Sequence, residues 1–223
     1  MVIAVWTAKG GSGATVVATA LAVMLARRQP ATGSLLVDLH GDAPTVLGVA
    51  EPEGPGLTEW LAASPSVGPA AIERLEHPVA DGVRLVPRGR RPLAAPERVA
   101  LCCERFADDP RPVVIDLGRL AGLDDEQDLL RRQVLEASTI SLLVTRACFL
   151  ALRRALTLPV RPTGIVLVEE PGRALGRTDV EDVLGAPVVA TVAVEAAVAR
   201  AVDAGLLASR LPTVLERSLR DVA

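Results

Sequence analysis

The residues best placed to do chemistry lie near the start of the chain, in Lys9-Gly10-Gly11-Ser12-Gly13-Ala14-Thr15. Three glycines let successive backbone N–H groups curl around an anion, and Thr15 puts a hydroxyl where a Mg²⁺ ion would sit beside bound phosphates. A phosphate loop normally closes G-K-[ST], its lysine reaching the terminal phosphates, and here that place is Ala14. Lys9 is the single lysine of the chain, against 23 arginines among the 24 basic residues. An ammonium kept at one position in so arginine-biased a chain points to a tight site, where a guanidinium is no substitute. Two acids, Asp38 and Asp116, follow other apolar runs and are the remaining candidates.

The elements around these residues must hold them together. Val2 to Trp6 is short, apolar and rich in β-branched residues, as in a strand buried on both faces of a parallel sheet. Val17, Ala20, Leu21, Met24 and Leu25 mark one face of a helix ending near Arg27 and Arg28. Ser34 to Leu39 is a second strand, closing on Asp38, and residues 42–56 read as a loop. Short helices follow at 57–63 and around Pro69 to Leu75, then a strand within Gly82 to Gly89. A helix from Pro96 to Phe106 leads to the strand Pro112 to Gly118, which carries Asp116.

The second half repeats the unit. Strands at Ile140 to Thr145, Gly164 to Val168 and Val188 to Val192 each precede a helix, at Leu150 to Leu156, Asp179 to Leu184 and Glu195 to Val202. Alternation with short links implies an α/β fold, a doubly wound, mostly parallel sheet with helices on both faces. Sites in such sheets gather at the carboxyl ends of the strands. Residues 7–15, 38–42, 116–119 and 192–195 are all expected there.

Strand, KGGSGAT and helix resemble the deviant Walker A motif, K-G-G-x-G-K-[ST], of the ParA/MinD ATPases. GVRLVPRG, the strand carrying Asp116, and the segment 180–205 resemble successive parts of the same family, so the likeness spans nearly the whole chain as one domain, 1–223. The resemblance implies ATP or ADP bound by Lys9, Gly10, Gly11, Ser12, Gly13, Ala14 and Thr15. It implies Mg²⁺ held through Thr15, Asp38 and Asp116, with Asp38 and Asp116 as the catalytic candidates. It also implies a nucleotide-sandwich homodimer, with Lys9 reaching the partner's nucleotide.

Several positions depart from the family pattern. The loop lysine is Ala14, and the second aspartate of D-x-D is His40. Gly118 and Arg119 follow Asp116 off-register, and the adenine-side loop, Val192 to Glu195, lacks the family's proline and aspartate. Within the family the chain most resembles the CpaE/TadZ branch, which positions Tad-type pilus machinery and tolerates irregular loops. The leading expectation is a positioning or scaffolding factor with weak or lost ATPase activity and a pilus or secretion partner. An active partitioning ATPase, with Arg119 supplying the missing charge, is the first alternative. An interaction module that keeps only the fold is the second, and it requires Lys9→Ala to change nothing.

Composition narrows the classes further. A net charge of −3 gives no general drive toward nucleic acid, although DNA could still meet a local arginine patch such as Arg88, Arg90 and Arg91. Two Trp, two Phe and no Tyr argue against base stacking on single strands. Cys102, Cys103 and Cys148 lack metal or redox spacing and are expected reduced in the core; His40 and His77 suggest no metal site. No apolar run is long enough to span a membrane and no cleavable leader is visible, so a cytoplasmic location is expected. The tail, Pro212 to Val222, carries Leu215, Leu219 and Val222 along one side and is expected to pack on its own domain.

Overall fold

The computed structural model describes residues 1–122 and 126–223. In chain order its strands are β1 (Val2–Thr7), β2 (Ser34–Asp38), β3 (His77–Ala80), β4 (Val83–Val86), β5 (Val113–Arg119), β6 (Ile140–Arg146), β7 (Gly164–Glu169) and β8 (Val188–Ala193). They form one sheet in the order β3-β4-β2-β5-β1-β6-β7-β8. Every neighbouring pair is parallel except β3 and β4. The helices are α1 (Ala14–Arg28), α2 (Ala43–Leu47), α3 (Leu57–Leu61), α4 (Val99–Ala107), α5 (Glu126–Ala137), α6 (Phe149–Thr157), α7 (Arg177–Leu184), α8 (Ala196–Asp203) and α9 (Thr213–Ser218). Single 3₁₀ segments cover Pro69–Leu75 and Pro96–Arg98.

The sheet separates two cores. Successive strand residues point to opposite faces, so Val2, Ala4 and Trp6 of β1 join one core while Ile3 and Val5 join the other. The first core is closed by apolar residues of α3 to α7, among them Leu57, Phe106, Leu130, Leu152 and Val180. The second is closed by α1 and α2, by Leu215 of α9 and by the inner side of α8. Covered on both faces, β1 is buried at every position. The α/β architecture expected from the alternation is therefore present: a doubly wound, mostly parallel sheet.

Several local readings change. The helix α1 was expected to bury a single stripe, but every residue from Val17 to Ala26 is buried, because α2 and α9 pack over its outer side. Residues 42–56 are not all loop, since they include α2. The expected strand at 82–89 is only Val83–Val86, paired antiparallel with β3 in a hairpin whose turn is Gly82 at φ +71°. The cysteines are free; Cys102 is in the core and Cys103 packs against it, but Cys148 lies outside it, at the foot of α6. The tail packs on its own domain as expected. Leu215 and Leu219 are buried, Arg27 pairs with Glu216 at 2.5 Å, and Arg28 Nη2 donates to the Arg220 carbonyl at 2.5 Å. Among the described residues no helix is long and apolar enough to cross a membrane.

Candidate functional site

The loop between β1 and α1 is shaped by its own hydrogen bonds. The Lys9 carbonyl accepts the Ser12 hydroxyl at 2.7 Å and the Thr7 hydroxyl at 3.0 Å. Beyond that corner Gly11 and Gly13 turn the chain with φ of +76° and +91°. A Cβ at either would meet nothing within 4 Å, so backbone conformation, not crowding, calls for glycine. The helix then starts at Ala14 with no side chain capping it. The amides of its first turn lack intrahelical acceptors and form the positive end of a 15-residue helix. A cavity of about 220 Å³ opens at this point, lined by residues 10–16 together with His40, Asp42, Gly118 and Arg119.

The register of the central strands brings the two acids together, since Asp38 of β2 is paired with Asp116 of β5. Both are fully buried, but their surroundings differ. Asp38 Oδ1 accepts the amides of His40 at 2.8 Å and Gly41 at 2.6 Å, and Oδ2 accepts that of Ala43 at 2.9 Å. Its carboxylate is occupied in folding the turn into α2. Asp116 Oδ1 accepts the Gly118 amide at 2.9 Å, whereas Oδ2 is buried with no hydrogen-bonded partner. Burial raises both carboxyls above their ordinary value. The negative charge of Asp38 raises Asp116 further, while Thr15, the Gly118 amide and His40 pull it back. Thr15 is thus close enough to favour the charged form of Asp116, yet Oδ2 itself remains unpartnered.

A buried carboxylate oxygen beside a second acid is costly unless a proton or a cation meets it. Mg²⁺ suits such an oxygen, because it binds through one or two carboxylates and completes its shell with water and substrate phosphates. No group of three or more His, Cys, Asp or Glu side chains positioned to cage an ion occurs among the described residues. Thr15 lines the cavity beside the loop, whereas Asp116, wholly buried, does not, and neither Lys9 nor Asp38 is part of that lining.

Gly118 explains the departure after Asp116. The pairing of β5 with β1 slips one residue between Val5 and Trp6, which carries Leu117 past without a partner and turns Gly118 to φ +64°. The His40 ring rests on that glycine; a Cβ there would lie 2.3 Å from His40 Nδ1. Nε2 of the ring is 3.1 Å from Asp42 Oδ2. Gly118→Ala should therefore displace His40 and cost about 1–3 kcal/mol from the backbone conformation alone, measured as a lower urea midpoint with unchanged slope.

Three cations surround the loop. Lys9 is half-buried and makes no close ion pair among the described residues, although its charge acts on Glu170. Arg119 is exposed and runs alongside Gly10, its Cδ 4.0 Å from where a Cβ would stand. Arg146, which the sequence reading did not single out, ends β6 and donates Nη2 to the Gly11 carbonyl at 2.9 Å. Its Nη1 pairs with Glu170, which also binds Arg173; those partners, Arg173 first, hold the Glu170 carboxyl below its usual range. An arginine closing an apolar strand at the carboxyl edge was the available signal. The stretch 192–195 lies across Gly11 to Gly13, in an adjoining cavity, so the four strand-end segments converge. Of the arginine run, Arg88 reaches the turn between His40 and Asp42, its Cδ 3.6 Å from where a Cβ of Gly41 would stand, whereas Arg90 and Arg91 are exposed and donate their amides to Glu59.

No protein-family model and no curated protein matches the chain. Solved structures do match. The ParA family ATPase from Chlorobium tepidum TLS superposes with a TM-score of 0.79 at 20% identity, over 99% of this chain and 96% of that one. The cell division ATPase MinD of Pyrococcus furiosus gives 0.75 at 21% identity, over 100% and 99%. The septum site-determining protein MinD from Pyrococcus horikoshii OT3, complexed with Mg-ADP, gives 0.68 at 19% identity, over 92% and 86%. The chain shares the fold of the ParA/MinD ATPases along its whole length.

Proposed function

We propose that this chain binds a nucleoside di- or triphosphate with Mg²⁺ in the loop of residues 9–15 and turns it over slowly or not at all. It acts as a spatial-positioning or scaffolding factor of the ParA/MinD kind, nearest the CpaE/TadZ branch, with pilus or secretion machinery as its partner. The observation that carries this reading is an open cradle with Ala14 where the loop lysine belongs. The amides of the first turn of α1 and the Thr15 hydroxyl bind phosphate, and Asp116 with Thr15 holds Mg²⁺. The metal, when bound, neutralises phosphate charge. Asp38 acts at one remove, fixing the turn that carries His40 and Asp42. Lys9 is half-buried and makes no close ion pair among the described residues, which supports its reaching a second copy in a homodimer.

Phosphoryl transfer depends on positioning and charge stabilisation. With alanine in the loop and His40 for the second aspartate, binding survives through the backbone while turnover falls far below about 1 s⁻¹, the lower end of the usual enzyme range. Calorimetry with ADP and Mg²⁺, beside phosphate release from ATP, tests this; turnover above that rate removes the scaffold reading.

One observation favours the active alternative: Arg119 lines the same cavity, against Gly10. If it replaces the missing charge, Arg119→Ala abolishes ATP turnover. Under the scaffold reading the same variant leaves a turnover that is already near zero and weakens ADP binding less than tenfold.

A further inference from the structure

A cavity of about 480 Å³ opens between α8 and the residues that lead into α9, against about 220 Å³ in the cradle, with which it shares no lining residue. Its shape follows from the way α8 ends. Gly205, at φ +64°, stops the helix: its amide donates to the Val202 carbonyl at 2.9 Å, and that of Leu206 reaches back to Ala201 at 2.8 Å. This is the bonding that closes a helix on a left-handed residue. Backbone packing fixes the turn, since a Cβ on Gly48, at the end of α2, would run into the Gly205 carbonyl. Ala201, Leu206, Leu211 and Val214 line the cleft. No residue of α8 is buried and Leu206 is 43% exposed, so apolar surface is left facing water. Arg200, Arg210 and Glu195 line the same cleft. All three are exposed, and none forms an ion pair or a side-chain hydrogen bond among the described residues.

We infer that this cleft binds a small amphipathic anion, a single carboxylate on an apolar body, with the body over Ala201, Leu206, Leu211 and Val214 and the head at the two arginines. The inference stands apart from the nucleotide reading. Size is the first support, because small-molecule pockets measure about 300–1,000 Å³ and are mostly apolar with a few placed polar groups. Charge is the second. The fork of a guanidinium matches a carboxylate, and both guanidiniums here lack a counter-charge of their own. Glu195 sets the number of heads. It stands five residues before Arg200 in the sequence, about 7.5 Å along a helix, so a second carboxylate at the far end of the ligand would meet a like charge.

Titration calorimetry with decanoate, kept below micelle formation, tests the inference against decylamine and decanedioate. Decanoate should bind saturably, one per chain, and at least about tenfold tighter than either comparator. Replacing both arginines, Arg200→Ala with Arg210→Ala, should weaken decanoate at least about tenfold. Glu195→Gln should bring decanedioate closer to decanoate, and Leu206→Glu, at an exposed position, should remove binding. Unchanged thermal unfolding shows that each variant is folded. Decanoate that fails to saturate, or that binds the double arginine variant as tightly as wild type, overturns the inference. So does equal binding of either comparator. Capture of the protein by phosphatidylglycerol vesicles without binding of free decanoate overturns it too, and would assign the arginines to a membrane surface. The titrations contain no nucleotide, so none of these outcomes bears on the cradle.

Discussion

Ala14→Lys should tighten binding of ATP with Mg²⁺ by about 10- to 150-fold. Ala14 opens α1 and lines the cradle, and the residue is 5% exposed. A lysine stem at this position starts from an established helical residue and runs into a cavity of about 220 Å³. Its ammonium would add one charge-assisted hydrogen bond to phosphate, worth about 1.5–3 kcal/mol, which corresponds to the stated change in affinity. Ala14 also belongs to the core beneath α1, so overpacking is the competing effect, at about 1–3 kcal/mol of stability. Thermal unfolding without ligand separates the two, because lost stability lowers the melting temperature and gained affinity appears only in the titration. A folded variant whose affinity does not change would mean that the first turn of α1 does not face the phosphates.

Asp116→Asn should abolish the Mg²⁺ dependence of nucleotide binding and make the ligand-free protein more stable at neutral pH. The sign follows from the environment of the carboxyl. Burial first, then the charge of Asp38, lift Asp116 to about 6, above the unfolded value of about 3.9. Between these limits the folded state binds more protons than the unfolded chain, so stability falls as pH rises through the window and is greatest below it. The ligand-free protein should lose up to about 3 kcal/mol between pH 4 and pH 7 from this group. The asparagine variant should lack that component. Chemical denaturation at several pH values measures it; a wild-type slope of opposite sign would show that the unpartnered oxygen is not destabilising. Mg²⁺ with nucleotide should stabilise wild type more at pH 7 than at pH 5, because protons compete for Asp116.

The sequence held the fold and the centre of the site for an identifiable reason. Glycines bracketed by a β-branched strand and an apolar helix have few other structural meanings, and strands buried on both faces announce themselves as uninterrupted apolar runs. What escaped depended on partners distant in the chain. The burial of α1 on all sides needs α9, nearly 200 residues later in the sequence. The pairing of β3, half-exposed and containing Pro78, is decided by β4 and not by any pattern of its own. The helix α5 was not singled out either. Its buried Asp128 fastens the chain after β5 by accepting the amides of Ala121 at 2.5 Å and Gly122 at 2.8 Å. The different surroundings of Asp38 and Asp116 were equally hidden, because two similar strand-end aspartates differ only in which amides the fold brings to them. Arg146 became visible only when β6 was placed beside the loop.

The cradle is proposed to hold nucleotide with Ala14 and His40 standing where the family pattern has a lysine and an aspartate. Titrating the wild-type protein with ATP and Mg²⁺ while following phosphate release in the same sample tests it most directly. The wild-type protein should give a saturable isotherm with one nucleotide per chain and almost no phosphate released over the titration. Heats that never saturate, or phosphate released at more than about 1 s⁻¹ per chain, would contradict it.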